Sequence, residues 1–367
     1  MKLMGVINLD HELDQLNELT YFRAGAAVPF AGRYRLIDFA LSNMMSAGVQ
    51  DIALFVRRKY RSLLDHLGEG GPWDLNRKRG GLFILPPDWN DPTDISSGDL
   101  QHMHNNRDFF ARSSGEYVVH SGSQHLSKVD FCELAEYHKA KGADVTVVYK
   151  HVDELAPEHD PCFRLDIDGE GFVTGIHNEK GSHNLYIELF IMEKNLFLQQ
   201  MEYCIAHGDS YFFRDVILRN PNGLKIAAYE YKGYHAVINS IESYYKNSLE
   251  LLDPEKYKQL FSPDMPVHTK IKYEAPTKYL EGAQVTNSLV ANGCRIAGEV
   301  EGSVLFRGVK VEKGAKVINS IIMQKCIIEE GAIVENVILD KDVQLTANRT
   351  LMGDSRRPFV IAKRSTL

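Results

Sequence analysis

The sequence predicts an α/β domain with a mostly parallel sheet, followed by a parallel β-helix. Three observations carry that expectation. An apolar run, Leu3 to Ile7, leads through a long connection and an amphipathic pattern to a second apolar run, Asp51 to Val56. From Leu289 onward, aliphatic residues recur every seventeen positions in three columns. Between these parts lies a stretch carrying Pro254, Pro263, Pro266 and Pro276, the composition of a linker. The expected division is a sheet domain over 1–252, a linker over 253–280 and a β-helix over 281–367.

The first unit is organised by Ala24 to Gly48, AGAAVPFAGRYRLIDFALSNMMSAG. Ile37, Ala40, Leu41, Met44 and Met45 fall at helical spacing and put one apolar stripe on one face. Pro29 stiffens the entry and Gly48 stands where a helix would stop. Strand, helix, strand in this order is the first unit of a parallel sheet. Further strands are expected at Leu82 to Leu85, Tyr117 to His120 and Ala143 to Tyr149, with helices over Phe131 to Lys141 and Ser240 to Leu252. Gly68 to Gly81, rich in glycine with a basic run at Arg77, Lys78 and Arg79, reads as a mobile surface loop. Residues 151–183 read as hairpins.

A chain of 367 residues with 44% hydrophobic and 25% charged residues is an ordinary globular protein large enough for two domains. Its net charge of -7 argues against nucleic acid and anionic membranes as partners. The N-terminus, MKLMGVINLDHELD, turns acidic without a signal-peptide core, and no apolar run approaches a membrane span. Cys132, Cys162, Cys204, Cys294 and Cys326 are scattered and form no CxxC pair, which suits reduced thiols in a cytoplasmic protein without a zinc site.

In the repeat, Val300, Val317 and Val334 form one column, Leu305, Ile322 and Leu339 a second, and Val311, Ile328 and Leu345 a third. Glycines at 302, 308, 314 and 331 and asparagines at 319 and 336 hold corners where positive φ is tolerated. Three inward columns in register describe a triangular coil stacked on itself. Ordinary antiparallel strands would not keep them aligned.

PFAGRYRLIDFALSN, Pro29 to Asn43, resembles the hallmark segment of glucose-1-phosphate adenylyltransferases (ADP-glucose pyrophosphorylases). GADVTVVYK, Gly142 to Lys150, matches the same family. The resemblance implies a nucleotidyltransferase-type, Rossmann-like sheet domain and a left-handed β-helix of hexapeptide-like repeats. Hexapeptide acyltransferases also carry such a helix, but they resemble one another in using a β-helix histidine as base. This chain has no histidine after His268.

Measured against that family, the positions that carry chemistry are replaced. The family's GGxGxRLxPLT-like loop wraps a triphosphate. Here residues 8–23, NLDHELDQLNELTYFR, hold no glycine and carry Asp10, Glu12, Asp14 and Glu18 against Arg23. Carboxylates facing a polyphosphate oppose its binding. The family's phosphate-contacting lysine falls on Gly25, its first metal-binding Asp on Ser123 and its second on Ala236. A hydroxyl is a poor sole ligand for a hard dication, and the resemblance assigns Asp130 to the following helix without a metal role. In SSGDLQHMHNNRDFF, Gly98, Asn106 and Asp108 survive from the family's nucleotide segment, with Asp99-Leu100 in place of Thr-Ala. Glu179 and Lys180 match the start of the family's sugar-phosphate EKP motif, with Gly181 for the proline. SMGIYVF becomes LYIELFI, with Tyr186 and Ile187 in place of its small residues. His102 and His104, two apart on a helix, diverge and read as helix-surface histidines, not metal ligands.

Arg57, Arg58, Lys59 and Arg61 cluster at a strand's carboxyl end, where α/β sheets place ligands. They are candidates for an anionic effector such as a sugar bisphosphate, and Lys59 aligns with a lysine of the family's anion-binding region. This pattern of losses resembles the family's D-type subunit, which accompanies a catalytic C-type subunit. The expectation is a non-catalytic regulatory subunit with no cofactor of its own, magnesium being needed only at the catalytic partner. It would form a heterotetramer with that partner, or a homo-oligomer alone. Two alternatives stay open: an active enzyme with an unusual site, and a stand-alone sensor of sugar phosphates or nucleotides.

Overall fold

The computed structural model describes residues 1–10, 12, 15–87, 98–179 and 181–367. Neither compact unit of the chain is contiguous in sequence. The first comprises Met1–Glu12, Phe39–His235 and Met265–Val267, and the second Leu13–Asp38, Ala236–Asp264 and His268–Leu367. The boundaries expected from the prolines differ from these units at the N-terminal segment and at 236–252.

In the first unit a nine-stranded sheet is built from β1 (Leu3–Asn8), β2 (Asp51–Phe55), β3 (Gly81–Leu85), β4 (Tyr117–Ser121), β5 (Val145–His151), β6 (Arg164–Ile167), β7 (Val173–His177), β8 (Asn184–Glu193) and β9 (Ile226–Glu230). Its order is β7-β6-β8-β4-β1-β2-β3, with β5 also paired to β8 and β9 to β5. Strands β4, β1, β2 and β3 run parallel, as do β5 and β9. Strand β8 joins the two parallel groups by antiparallel pairing to β4 and β5. Val6, Ile7, Ala53 and Leu54 are completely buried, as strands covered on both faces require.

Helix α1 (Leu36–Ser46) realises the predicted stripe, with Ile37, Ala40, Leu41 and Met44 buried and Gly48 at φ 70 just past its end. A Cβ on Gly5 would lie 2.5 Å from Met44 Sδ, so glycine in β1 permits the close approach of this helix. Helix α2 (Gly98–Asn105) follows β3, and helix α3 (Phe131–Lys141) starts at Asp130, whose carboxylate accepts from the Cys132 and Glu133 amides. That capping bond gives Asp130 its place in the helix, as expected. The segment 68–81, expected as a mobile loop, is anchored by Trp73 and Leu75, both buried. All five cysteines are free, and Cys132 alone is exposed.

In the second unit, helix α4 (Ile241–Glu250) is capped by Ser240, whose hydroxyl accepts from the Ser243 amide at 3.1 Å. Part of the expected linker is helical: α5 (Pro254–Leu260) has Pro254 in its first turn and Asp253 as its cap. Beyond it, three five-stranded parallel sheets form the faces of a β-helix, beginning at Lys278–Tyr279. The predicted columns are in direct register: Val300 with Val317 and Val334, Leu305 with Ile322 and Leu339, and Val311 with Ile328 and Leu345. Every one is at most 1% exposed. Asn319 and Asn336 take φ 44 and 53 at corners. A buried ladder adds to the columns, with the Ser320 amide donating to Ser303 Oγ and the Val337 amide to Ser320 Oγ. The first coil is shorter than the repeat, since Val285 pairs with Val300.

Candidate functional site

Parallel sheets present ligands at the carboxyl ends of their strands, and there the first unit gathers its charged groups. Strand β1 ends at Asn8, whose Nδ2 donates to Asp99 Oδ2 at 2.7 Å and whose Oδ1 accepts from the Asp10 amide at 3.0 Å. Asp99 Oδ1 accepts from the Phe212 amide at 2.9 Å, so this buried aspartate, one of the replaced nucleotide-segment positions, ties elements together. The Asp10 carboxylate is 1% exposed, with Oδ2 3.2 Å from His102 Nδ1 and 3.9 Å from Arg57 Nε. His102 is fully buried and meets the Phe55 ring edge-on at 4.9 Å. It is therefore not the helix-surface histidine expected from its spacing; His104 on the same helix is partly exposed. Arg57 Nη2 reaches the Gly98 carbonyl at 3.4 Å. Gly98 lies at φ 77 and a Cβ there would collide with the Ser210 carbonyl, which accounts sterically for that glycine.

The Asp10 pairing is incompletely satisfied. Asp10 Oδ1, His102 Nε2 and Arg57 Nε are buried without a hydrogen-bond partner among the described residues.

Beyond β4, Ser123 is 2% exposed and its hydroxyl donates to the Glu12 carboxylate. The Gly122 amide donates to the Glu188 carbonyl at 3.2 Å, and a Cβ on Gly122 would collide with the Glu188 side chain. Glu188 sits at φ 56 inside a bulge of β8 between Tyr186 and Phe190. Glu188 thus holds a left-handed backbone, the conformation that favours glycine, with a bulky L side chain. Tyr186 and Ile187 are buried, Tyr186 stacked on Phe213 at 4.6 Å. His125 Nε2 is 3.9 Å from Glu188, and its Nδ1 is 3.0 Å from His235 Nε2. Burial lowers the His125 pKa to about 3 and drives His235 well below its usual value, which keeps both imidazoles neutral.

Of the basic run, only Arg57 turns toward Asp10; Arg58, Lys59 and Arg61 are exposed, Lys59 at φ 52. Glu179 is exposed, and its carbonyl accepts from the buried Arg164 at 3.3 Å. Lys180 and Asp14 lie outside the described residues. Gly25 opens a 3-10 turn, Gly25–Ala27, and Ala236 is 2% exposed, both in the second unit. Among the described residues no group of three or more His, Cys, Asp or Glu is placed to hold a metal ion. None of the described helices is long and apolar enough to cross a membrane.

The second unit holds a cationic cluster that sequence reasoning missed. Arg23 Nη2 donates to both oxygens of Asp340, at 2.8 and 2.7 Å. Beside this pair, burial and then the charges of Arg35 and Arg23 push Lys341 down to about 7. Lys272 is lowered by burial, Arg307 and Arg35, and Arg307 by burial and Arg33. In each case burial is the largest cause, and the nearby carboxylates Asp340 and Glu274 offset part of it. Arg33 and Arg35 were visible in GRYR, but no local signal ties them to residues so distant in the chain.

Two family models match the chain. A nucleotidyl transferase family model matches residues 14–166, and a GlmU-like C-terminal hexapeptide model matches 275–357. The chain is 38% identical over 362 residues to the glycogen biosynthesis protein GlgD of Bacillus subtilis strain 168, covering 99% of this chain and 96% of that one. It is 40% identical over 317 residues to GlgD of Geobacillus stearothermophilus, covering 86% and 83%. To a glucose-1-phosphate adenylyltransferase of Bacillus cytotoxicus it is 31% identical over 356 residues, covering 95% and 94%.

Proposed function

The chain belongs to the glucose-1-phosphate adenylyltransferase family, and from that premise we propose that it is a regulatory subunit without a working active site. Its role would be to support ADP-glucose synthesis from ATP and glucose 1-phosphate in glycogen formation. The similarity to proteins named for glycogen biosynthesis supports the pathway. One observation carries the non-catalytic part: Asp10 and Glu12 stand at the carboxyl edge of the sheet, engaged by His102, Arg57 and Ser123.

Nucleotidyl transfer relies on positioning and on neutralising phosphate charge. A carboxylate 4 Å from a phosphate oxygen adds repulsion of about 4 kcal/mol at an effective dielectric of 20. Nor do the residues fit a magnesium ion. The Ser123 hydroxyl is committed to Glu12, and position 236 offers a methyl group. The metal and the chemistry are therefore assigned to a catalytic partner subunit, in a heterotetramer. Regulation has two supports in the chain: exposed Arg58, Lys59 and Arg61, and the cationic cluster around Lys341. Either suits a phosphorylated effector.

The test is an assay with Mg-ATP and glucose 1-phosphate, first of this protein alone and then mixed with a catalytic homologue. No ADP-glucose alone, with a raised rate or a shifted effector response in the mixture, is expected. Robust synthesis by the protein alone would overturn the proposal.

A further inference from the structure

The Asp10 locus combines features that a purely structural ion pair would not leave in place. Arg57 follows β2 at the edge where parallel sheets receive ligands, and its side chain is 21% exposed while Asp10 is 1% exposed. The two approach only to 3.9 Å, through Nε, and make no fork-to-carboxylate pair. Arg57 Nε, Asp10 Oδ1 and His102 Nε2 remain buried without partners among the described residues. This locus sets a cation and an imidazole around a loosely held carboxylate.

We propose that Asp10 is a resident anion: its carboxylate occupies a phosphate-binding position beside Arg57 and His102, and so keeps outside anions from that position. This inference rests on the reading of the chain as non-catalytic and adds a cause, since the chain's own charge takes the anion position as well as metal ligands being replaced. Removing that charge while keeping the shape frees Arg57 for a ligand oxygen. Phosphate oxygens offer the in-plane pairing that Asp10, held by His102 and by the Asn8 bond to its amide, does not reach.

The experiment uses the full chain and inorganic pyrophosphate, with binding and stoichiometry measured by calorimetry. Wild type and Arg57→Gln should bind alike, because Arg57 is already occupied. Asp10→Asn should gain one site per chain, at least tenfold tighter than any Arg57-dependent binding by wild type, and Asp10→Asn/Arg57→Gln should lose it. Binding elsewhere, as at the Lys341 cluster, cancels in these comparisons. A wild-type site that disappears in Arg57→Gln overturns the proposal, as does a folded Asp10→Asn that gains nothing. If neither Asp10→Asn nor Asp10→Ser yields a folded protein by thermal melting, Asp10 is a structural residue and the proposal is likewise overturned. Turnover plays no part in these readings, so ADP-glucose synthesis by the chain alone would refute the regulatory assignment and leave the binding result to be judged separately.

Discussion

Arg23 and Asp340 stand 317 residues apart in the chain, yet one guanidinium nitrogen of Arg23 bonds both carboxylate oxygens of Asp340, with side chains 3% and 1% exposed. The pair ties the segment before the family's hallmark stretch to the β-helix within the second unit. Arg23 Nη1 is buried without a partner among the described residues, so desolvation offsets much of the pair's attraction. Removing one member is expected to cost about 3–5 kcal/mol, because a lone buried charge remains. Asp340→Ala should therefore lower the urea midpoint strongly, while Arg23→Met/Asp340→Leu should recover most of the loss. A double variant as unstable as the single one would refute this account.

How much was legible depended on the range of the interaction. The β-helix columns were readable because each coil repeats the same short pattern, and Val317 meets Val300 and Val334 as that pattern demands. Capping at Asp130 and the stop at Gly48 are equally local. His102 was misread because its partner, Asp10, lies 92 residues earlier and no helical period reveals it. The left-handed backbone at Glu188 was not read from the sequence because a bulge without glycine leaves no mark there. The Lys341 cluster draws on Arg23, Arg35 and Lys272, residues brought together only by the tertiary fold. Long-range electrostatics was the larger part hidden from sequence reasoning, together with the helix inside the expected linker and the bulge in β8.

A carboxylate introduced at Ser123 should destabilise the protein rather than be tolerated. Ser123 is 2% exposed and donates its hydroxyl to Glu12, so Ser123→Asp places two carboxyl groups at hydrogen-bond range. Like charges this close force one pKa upward. The variant should lose about 1–3 kcal/mol at pH 7 through the lost bond and the repulsion. The loss should shrink below pH 5, or when Glu12→Gln is added. Urea unfolding at pH 7 and pH 4.5 measures both effects, and a loss independent of pH would point to sterics instead.

Glu188 pairs a left-handed backbone with a carboxylate beside Gly122. An L residue in that conformation costs about 1–2 kcal/mol relative to glycine. Comparing Glu188→Gly with Glu188→Ala removes the carboxylate in both and isolates the backbone. The glycine variant should be more stable by about 1 kcal/mol, less than the full strain because glycine gains freedom when unfolded. Equal stability would mean that the bulge relaxes when Glu188 is truncated.

Lys341 gives the second unit a defined pH dependence. Burial, followed by the charges of Arg35 and Arg23, lowers its pKa to about 7 from 10.5. Between these values the unfolded chain binds a proton that the folded chain does not, so the Lys341 contribution makes stability rise with pH from about 7 to 10.5. Below pH 7 folding must hold the ammonium among other cations. Lys341→Met should therefore be more stable than wild type at pH 6, and the difference should fade toward pH 10. A multivalent anion seated in the cluster would raise the Lys341 pKa and remove the penalty. Pyrophosphate at pH 6.5 should consequently raise the melting temperature of wild type more than that of Lys341→Met. If the two proteins keep a constant difference from pH 6 to pH 10, Lys341 is not titrating in this range and the cluster is already neutralised.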